Sequence, residues 1–239
     1  MIVQPAPLRT ILFSYFLRFF CLLLSLFAFQ LAQAQTGTAE PRDIKILEEH
    51  KDEKGNTVRT IQYYEGNTRI VETRIIRPFA RLSVKIDPDT LDMQHLMLVV
   101  NKTRFVLDVY YRRVKIRSYK VVFGPKPQEN KIKKGDRRTP EGWFVIKNKH
   151  NSARYNKFMQ IDYPNKASIE RFNSMKAEGK IPQNAEIGGD IGIHGIWNGG
   201  DEMIDMGVGW TDGCIAMKND DIDDLYKLVK PGARVLVRK

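Results

Sequence analysis

The chain has 239 residues, 42% of them apolar and 28% charged, which accommodates one well-cored domain and a smaller appendage and excludes a disordered chain. Its formal charge is +11; 11 minus the two arginines of the leader, Arg9 and Arg18, leaves +9 after processing. In an exported protein that surplus points to anionic envelope polymers, lipid headgroups or carboxylate-rich substrates, and away from nucleic acid.

Residues 1–34 carry the parts of a secretory signal peptide: Arg9 and Arg18, the apolar run Phe19 to Phe29, and Ala32-Gln33-Ala34 as a small-residue cleavage site. Cleavage after Ala34 predicts a periplasmic or cell-envelope location and removes Cys21. The competing expectation is an uncleaved anchor from Ile11 to Ala34, which Arg18 near its middle disfavours. Thr36 to Pro41 is a polar linker. Ile44 to Ile76 then reads as a three-stranded β-meander, with turn signals at Lys54-Gly55-Asn56 and Glu65-Gly66-Asn67. Three such strands make a thin core, so this extension, within residues 35–93, is expected to pack on the main domain of residues 94–239.

In the main domain Leu96 to Val100 is an unbroken apolar run suited to a strand buried on both faces. Strands over Phe105 to Tyr110 and Arg113 to Phe123 follow, the second ending at Gly124-Pro125. Pro127 to Thr139, with five basic residues, reads as a long exposed loop; the charge run Lys126 to Arg138 is a solvated face or a steering patch for anionic glycan peptides. A strand is predicted from Trp143 to Lys147 and a helix from Lys166 to Lys176. The last helix, from about Asp220 to Val229, is N-capped by Asn219 and stopped by Pro231-Gly232 before a closing strand, Arg234 to Arg238. The class is mostly β with few helices.

With Cys21 removed, Cys214 in the stretch Trp210 to Met217 is the only cysteine left, so no disulfide forms within the chain. A lone exported thiol is either kept for its reactivity or packed as a small apolar filler. Flanking Gly213 and upstream His194 favour a nucleophile. His194 follows Ile191-Gly192-Ile193, a short run that places it at a strand terminus as the candidate base; a histidine hydrogen-bonded in the core is the competing reading. His50, His95 and His150 read as solvated surface residues. Gly213 permits close backbone approach, so the amides of Gly213 and Cys214 are candidate oxyanion donors. One cysteine and one nearby histidine, without a second pair at ligand spacing, make zinc a weak reading, and no metal or cofactor is expected.

His194-Gly195, the spacer Ile196 to Trp210 and Thr211-Asp212-Gly213-Cys214 resemble the catalytic motif of the L,D-transpeptidase domain of the YkuD type. Gly124, Gly135-Asp136 and Thr139-Pro140-Glu141-Gly142 extend the resemblance upstream, and it covers about Gln94 to Lys239. It implies a mixed β-sandwich and a two-step acyl transfer on peptidoglycan stem peptides. Cys214, with His194 as general base, attacks the carbonyl of the third stem residue and expels D-alanine. An amine from another stem, or from an envelope protein, then resolves the acyl-enzyme. Within the resemblance the Gly195 carbonyl orients the imidazole, Thr211 braces the loop, and carbapenem-type inhibitors are partners. Asp212, Trp197, Trp210 and Tyr163 are candidate substrate contacts, with core packing the competing role for the three aromatics. Two positions depart from the commonest pattern: Asp212 where the family often has His, and Ala216 where it often has Arg or Asn. Both alter the grip on the stem, and Asp212 disfavours a thiolate beside it unless it points away. Water as acceptor gives a carboxypeptidase or amidase instead, and loss of turnover gives a non-catalytic wall-binding module.

Overall fold

The computed structural model describes residues 42–76 and 78–239. The expected signal peptide, the alternative anchor, Cys21 and the linker lie outside the described residues. The extension forms the predicted antiparallel meander, β1 (Arg42–Lys51), β2 (Thr57–Glu65) and β3 (Thr68–Ile76). Its first turn is tied by Asp52, whose carboxylate accepts from the amides of Lys54 and Asn56 at 2.9 and 2.8 Å.

The main domain continues with β4 (Leu82–Ser83), β5 (Leu96–Asn101), β6 (Val106–Tyr111), β7 (Val114–Lys120), β8 (Gly142–Ser152) and β9 (Asn156–Ile161). Then come α1 (Lys166–Ala177), β10 (Gly192–His194), α2 (Asp201–Asp205), β11 (Ile215–Ala216), α3 (Asn219–Leu228) and β12 (Arg234–Arg238). Nine strands share one mixed sheet in the order β11-β10-β9-β8-β12-β5-β6-β7-β4, with β12–β5 and β10–β11 parallel. One edge of this sheet, β11, meets the stretch that continues β7, its strand next to the other edge. Beyond β7 the chain reaches Val122, which pairs with Ala216 of β11 through two backbone hydrogen bonds of 2.8 and 2.9 Å. The sheet therefore folds back on itself around a core that includes Leu98, Val100, Leu107, Phe144, Ile146, Met159, Ile193, Ile215 and Val235, and α3 packs into it through Ile222, Leu225 and Leu228.

A second apolar cluster joins the extension to the domain. Ile61 and Tyr63 of β2 pack with Val122, Ile196, Met203, Met206, Trp210 and Ala216. Arg59 pairs with Glu202, and Arg74 donates to the Gly207 carbonyl at 3.1 Å. The meander thus buries its apolar face on the domain, as its thin core predicts.

Three sequence expectations change, and β9 and α2 are elements that none of them covers. β8 continues past Lys147, the predicted end of this strand, to Ser152 and pairs with β9, and His150 is an exposed residue of it. The helix α2 has only five residues, too short to show a period. Asn219 is the first residue of α3; Lys218 occupies the cap, and the Asn219 side chain turns back to accept from the Ile196 amide at 3.0 Å. The basic loop is only partly exposed, because Lys131 and Thr139 are buried. Four of its charges meet carboxylates, Lys131 with Asp136 and Arg138 with Glu129 inside the loop, Lys134 with Glu186 and Arg137 with Asp212 outside it.

Candidate active site

Strand alternation and one parallel pairing assemble the site. Ile193 lies opposite Ile215 and His194 opposite Ala216, which sets Cys214, just before β11, level with Gly192. Ile193, Ile215 and Met217 enter the main core, so His194, Cys214 and Ala216 project to the other face. A strand spacing of about 4.8 Å and a rise of about 3.3 Å per residue put the Cα atoms of Cys214 and His194 about 8 Å apart, within side-chain reach.

His194 is buried, and its Nδ1 donates to its neighbour's carbonyl, Gly195 O, at 2.6 Å. That bond selects the tautomer with the proton on Nδ1 and leaves Nε2 as the acceptor. The surrounding backbone is pinned: the Met217 amide donates to His194 O at 3.0 Å and the Gly195 amide to Tyr155 O at 3.1 Å. Burial pushes the imidazole down to about 4; the Gly195 bond opposes this and the Arg154 charge adds to it. The histidine is therefore neutral at neutral pH.

Cys214 is half-buried, with Sγ 3.5 Å from the Asp190 carbonyl. Burial pushes its thiol up to about 11; the Gly192 backbone opposes, and the carboxylates of Asp212 and Asp190 reinforce the rise. The resting pair is a thiol beside a neutral imidazole. Asp212 itself is exposed and lies 3.5 Å from Arg137 Nε.

The loop between Trp210 and Cys214 is held on both sides. Thr211 Oγ1 donates to Cys214 O at 2.7 Å and accepts from the Gly213 amide at 3.3 Å, while the Trp210 amide donates to Phe123 O at 2.9 Å. Gly213 has φ +136°, and a Cβ there would lie 2.6 Å from the Arg138 carbonyl, so only glycine fits beneath this loop. Arg138 belongs to the loop organised by Asp136, whose carboxylate takes the amides of Ile132 (2.6 Å), Lys133 (2.9 Å) and Arg138 (3.1 Å) and the Lys131 ammonium (2.9 Å). Burial works against that carboxylate's charge, yet these donors hold it below its ordinary value. Lys102, fully buried, clamps the far side of the loop through Glu129 O (2.7 Å), Thr139 O (3.1 Å) and Glu141 Oε1 (2.8 Å). Nothing in the sequence marks Lys102, since a lysine in the turn Asn101 to Thr103 reads as solvated.

The candidate substrate contacts divide. Trp210 is buried, meeting His194 edge-on at 5.5 Å and Trp197 at 5.0 Å, so it walls the base. Trp197 is half-buried and Asp212 exposed. Tyr163 belongs to the main core against Phe144, and its hydroxyl donates to Ile187 O at 3.3 Å, which takes its ring out of a peptide groove. Among the described residues no group of three or more His, Cys, Asp or Glu is placed to hold a metal ion.

A family model for the L,D-transpeptidase catalytic domain, YkuD, matches residues 96–237. No curated protein matches the chain. Among solved structures it is similar to an Enterococcus faecium L,D-transpeptidase variant, with 16% identity over 62% of this chain and 50% of that one and a TM-score of 0.39. It is also similar to an L,D-transpeptidase from Mycobacterium smegmatis (11% identity, 83% of each chain, TM-score 0.40). A third is L,D-transpeptidase 3 from Mycobacterium tuberculosis in complex with a faropenem-derived adduct (10%, 82% of this chain and 81% of that one, 0.40). The chain spans half the length of the Enterococcus structure.

Proposed function

Because the chain belongs to the L,D-transpeptidase catalytic domain (YkuD) family, we propose that it is a cysteine acyltransferase that cross-links peptidoglycan stem peptides. The observation that carries this reading is the β10–β11 pairing, which sets His194, with Nδ1 anchored on Gly195 O, on the same sheet face as Cys214. With a neutral imidazole and a protonated thiol at rest, proton transfer accompanies attack. The Sγ–H proton moves to Nε2 as sulfur bonds to the carbonyl of the third stem residue, and the imidazolium then protonates the departing D-alanine amine. An acceptor amine, from another stem or an envelope protein, loses its proton to Nε2 and displaces Cys214. Gly213 and Cys214 supply the amides for the oxyanion, Thr211 holds their loop, and Asp212 and Trp197 border the stem. The substrate lies outside the cytoplasm, so cleavage after Ala34 and export to the periplasm or cell envelope are part of the proposal; intact mass of the exported protein, starting at Gln35, tests them.

Incubation with a carbapenem should add the inhibitor's mass to the wild-type protein and nothing to Cys214→Ala. Adduct formation on the alanine variant would overturn the assignment of the nucleophile. With a defined disaccharide tetrapeptide, cross-linked dimers and free D-alanine are expected. Tripeptide alone would show water as the acceptor, and sedimentation with sacculi without any product would show a binding module.

A further inference from the structure

The base is enclosed by aromatic rings from one hairpin. Tyr155, in the turn between β8 and β9, stacks on the His194 ring at 4.5 Å and 26°; Phe158 of β9 stacks at 5.7 Å and 10°. Phe158 is also the residue directly across from His194 in the β9–β10 pairing, and on its own far side it stacks with His150 at 5.4 Å. The Arg154 guanidinium lies 5.1 Å over the Tyr155 ring. Gly192 explains how Phe158 reaches this position: a Cβ at residue 192 would lie 2.5 Å from Phe158 Cζ, so the missing side chain in the Ile191-Gly192-Ile193 run is the space the ring occupies.

The single hydrogen bond from Nδ1 to Gly195 O holds one edge of the imidazole and leaves rotation about that bond to be restrained by packing. We propose that Tyr155 and Phe158 are positioning residues that fix the plane of the His194 imidazole and keep water from it, so that Nε2 meets the Cys214 proton in one orientation. The inference rests on the acyl-transfer reading above for its effect on rate, but not for its effect on the ring. The charged and titratable groups about the imidazole are Arg154 and Tyr155 from the β8–β9 turn and Cys214 from the catalytic loop, with His150 one ring further out.

The test is NMR titration of His194, its signal identified by comparison with His194→Gln, in wild type, Tyr155→Leu, Tyr155→Phe, Phe158→Leu and Phe158→Tyr, with circular dichroism confirming the fold. Both leucine variants should titrate well above the wild-type midpoint of about 4, towards 6.5. Both ring-retaining variants should stay near wild type. In the muropeptide assay the leucine variants should lose roughly ten- to a hundredfold in kcat with KM little changed. Folded leucine variants that titrate and turn over like wild type would overturn the inference, as would ring-retaining variants as impaired as the leucine ones. If wild type forms no product while the titration behaves as expected, the acyl-transfer reading fails and the positioning of the ring stands.

Discussion

The two faces of the β10–β11 pair differ in what they do with the same short segments. On the inner face Ile193, Ile215 and Met217 are packed into the main core with no exposed surface. On the outer face Gly192, His194, Cys214 and Ala216 meet rings, a carbonyl and the loop around Gly213. Alternation separates stability from chemistry by one residue, so neighbouring substitutions should fail in different ways.

The largest expected effect is on the outer face. His194→Gln keeps the volume but offers no base, and acyl transfer should fall by about 10²–10⁴ while the melting temperature changes little. A variant with near-wild-type turnover would remove His194 from the chemistry. On the inner face Ile215→Ala should cost about 2–5 kcal/mol in denaturant unfolding, yet turnover per folded molecule should stay close to wild type. A loss of kcat as large as that of His194→Gln, in folded protein, would show that the two faces are not separable.

A third substitution probes the support beneath the outer face. Asp136→Asn removes the charge that holds Ile132, Lys133, Arg138 and Lys131, and should destabilise by about 1–3 kcal/mol at neutral pH. The Asp136 carboxyl is held below its ordinary value in the fold, so its contribution is present above the unfolded value of about 3.9 and is lost as pH falls through the lower folded value. Acid unfolding of wild type should therefore show a component below pH ~4 that the asparagine variant lacks. A further test concerns the resting thiol: with Cys214 near 11, its alkylation should accelerate about tenfold per pH unit from pH 7 to 10. A plateau below pH 8 would reveal a preformed thiolate–imidazolium pair.

Much of this was readable in advance, for identifiable reasons. The meander, β5, α1 and β12 follow from alternation, an unbroken apolar run, a three-residue spacing and a Pro-Gly stop, all local signals. The candidate nucleophile and base stand out because few residue types do this chemistry and the chain offers few of them. α2, with five residues, is too short to show a period, whereas β9 and the two residues after it carry an alternation of Met159, Ile161 and Tyr163 with Gln160 and Asp162 that the sequence reading above does not use. Lys102 and the rings around His194 were not readable either. A buried lysine is decided by three acceptors brought from distant positions, and a ring stack by register across strands. Tyr163 shows the converse, since its sequence suits a groove or a core equally and only its packing against Phe144 chose the core.

The amino-acid sequence by itself determined the class of fold, the thiol, the histidine and the glycine beside the thiol, because each depends on residue type and short spacing. Only the tertiary structure decided that Asp212 turns towards Arg137, that carboxylates inside and outside the basic loop pair with four of its charges, and that the candidate imidazole is held neutral among rings. Those outcomes depend on burial and on which distant groups arrive within a few ångströms, and desolvation and charge pairing act only once the chain has folded.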